Sequence, residues 1–178
     1  MMGLQLIFVV ETNRKCNSDW IYIKETIEHY FIYDNTQIKL QPVYLGGKHK
    51  YASGSIQNQI NKLIKQYKGA SKNNFSKVLY CFDCDEYDHK MEDQKFLDHV
   101  QMYCKENRYE FIWFCKDIER VYINKKVEDS QKKKEATRFK EKKLIQKVNI
   151  NQLKKSSFQN NTSNLVKILN SYEELTLK

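Results

Sequence analysis

Apolar positions open the chain as a nearly continuous run, Leu4 to Val10, interrupted only by Gln5. Its brevity and its β-branched and aromatic content predict a strand buried on both faces, the pattern of a parallel sheet. The spacing then becomes helical. Asn17 or Ser18 can cap a helix on which Trp20, Ile23, Ile27, Tyr30 and Phe31 recur every three or four positions, and Tyr33-Asp34-Asn35 ends it. Ile38 to Leu45 reads as a second strand closed by Gly46-Gly47. Ser55 is the expected cap of a helix with Ile56, Ile60, Leu63, Ile64 and Tyr67 on one face. Val78 to Phe82 is a third strand, and Phe96, Val100, Tyr103 and Cys104 mark a helix ending near Asn107. Glu110 to Phe114 is a fourth strand, followed by a short helix at Ile118, Val121 and Tyr122.

Strands alternating with helices at this spacing predict βαβ crossovers. Residues 1–124 are therefore expected to form an α/β, Rossmann-like domain, a central parallel sheet of about four strands flanked by helices. Beyond Lys125 the chain turns lysine-rich, predicted helical through Leu144, Ile145 and Val148. A Ser/Asn loop from Ser156 to Asn164 follows, then a last amphipathic helix with Leu165, Ile168, Leu169 and Tyr172. Residues 125–178 are expected to be a basic helical C-terminal extension.

At 178 residues there is room for one domain and an appendage. Hydrophobic residues at 40%, with 12 Tyr and 9 Phe, supply a core and exclude wholesale disorder. No apolar run approaches the roughly 20 residues that span a bilayer, and no basic region precedes the first strand as a secretory signal requires. A soluble, cytoplasmic protein is expected, without a membrane partner. The net charge of +9 is unevenly placed: Lys125 to Lys155 holds 12 basic and 4 acidic residues, which leaves the rest almost neutral. Such a run is a solvated face, a surface for acidic proteins, or a contact surface for nucleic-acid phosphates. In the last case Lys132, Lys133, Lys134, Arg138, Lys142 and Lys143 are the contacts, since helical spacing gathers them on overlapping faces. Five irregularly spaced Cys argue against a disulfide framework. Cys81 and Cys84 form a C-x-x-C, but no second ligand pair accompanies it, and buried residues on a strand are favoured over a zinc or redox site.

In an open α/β sheet, ligands bind outside the carboxyl ends of the strands where the winding reverses. The first strand ends in Glu11 and the third in Asp83-Cys84-Asp85. If the backbone stays extended, Asp83 and Asp85 face the same side. Three convergent carboxylates repel one another unless a cation joins them, and hard oxygen donors suit Mg²⁺ or Mn²⁺. Acids that merely cap loops are the alternative. Lys48 and Lys50, in the loop Gly46-Gly47-Lys48-His49-Lys50-Tyr51, are candidates to hold a negatively charged substrate there. His89 is a candidate proton carrier or an ordinary loop histidine.

The segments LIFVVE at Leu6 to Glu11 and VLYCFDCD at Val78 to Asp85 resemble the Toprim domain of topoisomerases, primases and OLD-type nucleases, in which a Glu closes the first strand and an Asp-x-Asp the third. The resemblance covers about residues 4 to 124. The segment from Phe111 to Val121 is similar to the aromatic and acidic stretch of RloB-like and abortive-infection Toprim proteins, which implies that Glu119 joins the metal site. A Toprim-like fold is thereby implied, as is a metal-dependent nuclease of bacterial anti-phage defence working beside an ATPase. The Gly that commonly follows the Toprim glutamate is Thr12 here, a residue without glycine's backbone freedom.

On this reading Glu11, Asp83 and Asp85 hold one or two metals for phosphodiester hydrolysis, with Glu11 as ligand or general base. The alternative is a non-catalytic Toprim-like protein that binds nucleic acid or a partner through its basic tail. A phosphoryl-transfer enzyme on nucleotides shares the carboxylate requirement but finds no P-loop in this chain.

Overall fold

The computed structural model describes residues 3–178. β1 (Leu4–Val10), β3 (Ile38–Tyr44), β4 (Phe75–Asp83) and β5 (Glu110–Cys115) form a parallel sheet, which a two-residue antiparallel strand, β6 (Thr162–Ser163), extends in the order β3-β1-β4-β5-β6. A second small ribbon pairs β2 (Phe31–Ile32) with β7 (Thr176–Leu177). The protein is thus α/β, with a five-stranded, mostly parallel sheet and a compatible Rossmann-like arrangement. Among the described residues no helix is long and apolar enough to cross a membrane.

Every residue of β1 is buried, because helices cover both faces of the sheet. Alternate side chains of a strand point to opposite sides. Leu4, Leu6, Phe8 and Val10 accordingly join one core cluster, while Ile7 and Val9 join another. The first cluster takes Tyr22, Ile23 and Ile27 from α1 (Ser18–Tyr30) and Ile118 and Val121 from α4 (Ile118–Ile123). It also takes Ala136 and Phe139 from α5 (Lys132–Glu141) and Leu165 and Leu169 from α6 (Leu165–Leu169). The second takes Ile56 and Ile60 from α2 (Gly54–Ala70) and Phe96, Leu97 and Val100 from α3 (Met91–Asn107). Cys81 belongs to the first cluster and Cys84 to the second, so the C-x-x-C is split across the sheet, and both are free thiols.

The C-terminal third is built into this core rather than trailing from it. Phe139 is fully buried with its ring 4.9 Å from Tyr22 and 5.6 Å from Tyr122. Asn164 substitutes for a neighbouring strand: its Oδ1 accepts from the Trp113 amide at 3.0 Å and its Nδ2 donates to the Phe111 carbonyl at 2.9 Å. Some expected elements differ. The cap of α2 is Ser53, whose hydroxyl accepts from the Ile56 amide, rather than Ser55. Lys143 takes a left-handed conformation (φ 50°), and the predicted helix through Leu144 and Val148 is a 3-10 turn over Leu144–Lys147.

Candidate active site

From β1 the chain goes to β3 on one side and then to β4 and β5 on the other, so the winding reverses between β1 and β4. The register pairs Val10 with Cys81, and Glu11 and Asp83 therefore leave adjacent strand ends together. The Asp83 amide donates to Glu11 Oε1 at 2.7 Å, and Asp83 Oδ1 accepts from the Ile118 amide at 2.9 Å. That second bond anchors the start of α4, which Asp117 caps by accepting from the Arg120 amide at 2.8 Å. Glu119 is thereby carried into the interior at 1% exposure, and its Oε1 is buried with no hydrogen-bond partner.

Burial dominates the electrostatics. Glu11 is raised to about 8 by burial and by the charges of Asp19 and Asp85, against the opposing Asp83 amide and Lys48. Asp83 is raised well above the usual carboxylate range by burial and by Glu11, Asp19 and Glu119. Glu119 is raised to about 7 by burial, eased by Lys132. Asp19, in the first turn of α1, accepts from the Thr12 amide at 3.0 Å and is also raised by burial. Thr12 is not among the positive-φ residues, so the turn after Glu11 does not call on glycine's freedom there.

Lys132 is the cation of this group. Burial pulls its ammonium down, but Glu119, Asp83 and Asp19 outweigh that and hold it above its ordinary value. It lines a cleft of about 300 Å³ with Glu11, Thr12, Gly46 and Gly47. The glycine turn is fixed over the cleft: Gly47 N–H donates to the Glu11 carbonyl at 3.1 Å, and both glycines have positive φ.

Asp85 has a different setting. β4 ends at Asp83 and Asp85 is left-handed (φ 49°), so strand alternation does not extend to it. Its carboxylate pairs with Lys48 Nζ at 2.5 Å, and Lys48 also reaches Asp93 at 3.3 Å. Lys48 is thus engaged with acids, whereas Lys50 is exposed. Of the basic residues on and after α5, Lys133 donates to the Lys15 carbonyl, Arg138 pairs with Glu135 at 3.2 Å, and Lys134, Lys142 and Lys143 are exposed. His89 is exposed beside Asp88.

Sequence reasoning missed Asp19 and the inward turn of Lys132. An acid in the first turn of a helix passes as a favourable dipole contact, and one lysine in a run of three carries no mark of burial.

In kind, the carboxylates fit a hard divalent cation, and the bare oxygen of Glu119 and the mutual repulsion around Asp83 are what such an ion would relieve. They are not gathered round one point: among the described residues no group of three or more His, Cys, Asp or Glu is arranged to hold a metal ion. No family model, curated protein or solved structure matches the chain.

Proposed function

We propose that this protein is a divalent-metal-dependent nuclease whose reaction centre is the cleft at the ends of β1 and β4. The observation that carries the reading is the junction of Glu11 and Asp83 at the winding reversal, with both carboxyls and Glu119 shifted upward by burial. Glu11, Asp83 and Glu119 would hold Mg²⁺ or Mn²⁺ once the ion draws them together from their present separation, and Asp85 would join them on release from Lys48. The ion would neutralise the scissile phosphate and acidify a bound water. Glu11, beside Asp83 at the strand ends, would serve as a ligand or as the general base that takes the proton of the attacking water. The exposed Lys50, Lys133, Lys134, Lys142 and Lys143 supply a salt-sensitive contact for the nucleic-acid backbone. The Toprim resemblance supports the same assignment and adds anti-phage defence with an ATPase partner.

One observation favours the second reading, a non-catalytic binding protein. Lys132 and Lys48 already act as counter-charges to the acids, as in a structural ion network. Cleavage assays on single- and double-stranded DNA and RNA with either metal, with and without ATP, separate the two. The wild type is expected to cut, and Asp83→Asn and Glu11→Gln to lose roughly 100-fold or more. No cutting by the wild type, or equal cutting by the variants, replaces the nuclease with the binding protein.

A further inference from the structure

Beside α5 lies a second concavity, of about 530 Å³, between the C-terminal end of α4, α5 and the Leu144–Lys147 turn. That volume is within the roughly 300–1,000 Å³ of small-molecule sites. Its floor is apolar, from Ile123 and Leu144, over a Tyr122 ring that stacks on Tyr22 and bonds Thr26 through its hydroxyl at 2.6 Å. Its rim is cationic, from Lys125, Arg138 and Lys147. Glu135 accepts from both Lys125 (3.1 Å) and Arg138 (3.2 Å), which holds two flexible cations in place and leaves the rim net positive. At its edge the Asn124 carboxamide is oriented by a 2.7 Å bond from Asn161 Nδ2.

We propose that this groove binds one nucleotide unit of single-stranded nucleic acid, base on the Ile123–Leu144 floor and phosphate on the Lys125–Arg138–Lys147 rim. An apolar floor ringed by cations suits an unpaired nucleotide: the base face packs on Ile123 and Leu144 by hydrophobic contact, which is tolerant of sequence, and the backbone phosphate meets the cationic rim. A duplex keeps its bases stacked and offers nothing to the floor. The choice of a strand over an acidic peptide comes from α5, which carries Lys132 into the carboxylate cleft and Arg138 into the groove. The two are six residues apart, about 9 Å along the helix axis. The choice of a strand and its direction, from groove to cleft, rest on the nuclease reading, and the two are tested apart because binding is measured without cleavage.

The test measures binding by fluorescence anisotropy in the presence of a chelator, where no metal-dependent cleavage intrudes. The probes are a labelled oligothymidylate, an oligouridylate, an abasic strand of equal length and the oligothymidylate duplex; thymidine monophosphate and a polyglutamate peptide serve as competitors. The wild type should bind the base-bearing strands about tenfold more tightly than the abasic one. Arg138→Glu with Lys147→Glu should erase that preference and weaken strand binding at least about tenfold. Lys62→Glu, a charge reversal at an exposed position of α2 on the other face of the sheet, should bind as the wild type does. Both rim side chains are exposed, and circular dichroism checks that the double variant is folded. The proposal is overturned by equal binding of the abasic strand or the duplex, by wild-type affinity in the double variant, or by polyglutamate or the free nucleotide competing as well as unlabelled strand. Base-dependent binding without any cleavage removes the nuclease reading and leaves the groove. Cleavage with an inert groove does the reverse.

Discussion

At the ends of β1 and β4, Glu11 and Asp83 are pushed upward in pKa, while three to five residues further along the chain Glu86 and Asp88 are pulled below the usual carboxylate range. Burial decides the first pair. For Glu86 the leading cause is the hydrogen bond from Lys116 at 2.7 Å; for Asp88 a burial penalty is outweighed by Lys116 together with a backbone hydrogen bond and His89. Both regions set acids beside lysines, so composition does not separate them. What separates them is access to water: a partly solvated carboxylate keeps its charge once paired, whereas an enclosed one is neutral unless a cation compensates it fully. The loop acids therefore act as braces, and the cleft acids form a store of unrelieved repulsion that a cation or a proton can discharge.

Removing Lys132 tests that store most severely. Lys132→Met leaves Glu119, Asp83 and Asp19 without the cation that opposes their burial; because Lys132 is partly exposed and also pairs with Asp129 at 3.5 Å, solvent screening reduces the roughly 3–5 kcal/mol of a fully buried pair to about 2–3 kcal/mol. Urea unfolding at pH 8 should show a loss of this size. At pH 5, where Glu119, raised to about 7, is protonated, the loss should shrink, and combining the change with Glu119→Gln should restore part of it at pH 8. Mg²⁺ added to the single variant should also recover stability by binding the folded state. A cost below about 1 kcal/mol at pH 8 would mean that Lys132 is not the counter-charge.

The pH dependence of the wild type is the next largest effect. Glu11 is raised from 4.5 to about 8, so between those values the folded state binds more protons than the unfolded one. Its contribution is fully present below about pH 4.5 and is lost as pH rises through about 8. Glu119 adds a narrower window, from 4.5 to about 7. Stability should therefore fall by up to a few kcal/mol across the neutral range. Glu11→Gln should flatten that slope while leaving the acid limb set by Glu86 and Asp88. A wild-type profile that rises through this range contradicts the enclosed state of Glu11.

The four parallel strands and the first three helices were legible because each is a continuous apolar run or a regular three-four repeat, patterns that burial on both faces of a sheet imposes. Glu11 and Asp83 were legible for the same reason: a strand's end is visible where its apolar run stops. The short strands were not. Thr162–Ser163 is polar and two residues long, and it is a strand only through its pairing with Phe114 and Cys115. Asp85 was expected beside Asp83 on the assumption of an extended backbone, which its left-handed conformation replaces. Lys132 turns inward because α5 packs on α1 through Ala136 and Phe139, a tertiary fact with no local sequence signal.

The smallest effect should come from the loop acids. Lys116 reaches Glu86 at 2.7 Å and Asp88 at 3.2 Å, and Arg120 joins Asp117 at 3.0 Å. The carboxylates remain accessible to water, so removing their partner leaves them solvated rather than stranded, and Lys116→Met should lower the urea midpoint least of the variants considered. The sign with pH is opposite to that of Glu11. Glu86 and Asp88 lie below their ordinary values in the fold, so their contribution is present above about pH 4.5 and is lost as pH falls through their lowered pKa values. Lys116→Met should reduce that acid-side loss, Arg120 still pairing with Glu86, and raised salt should reduce the difference between wild type and variant. Salt should change the Lys132→Met penalty less, because Glu119 and Asp19 are buried and buried charges are screened less than exposed ones. If both penalties fell equally with salt, the two acidic regions would share one environment, and access to water would not be what distinguishes the cleft.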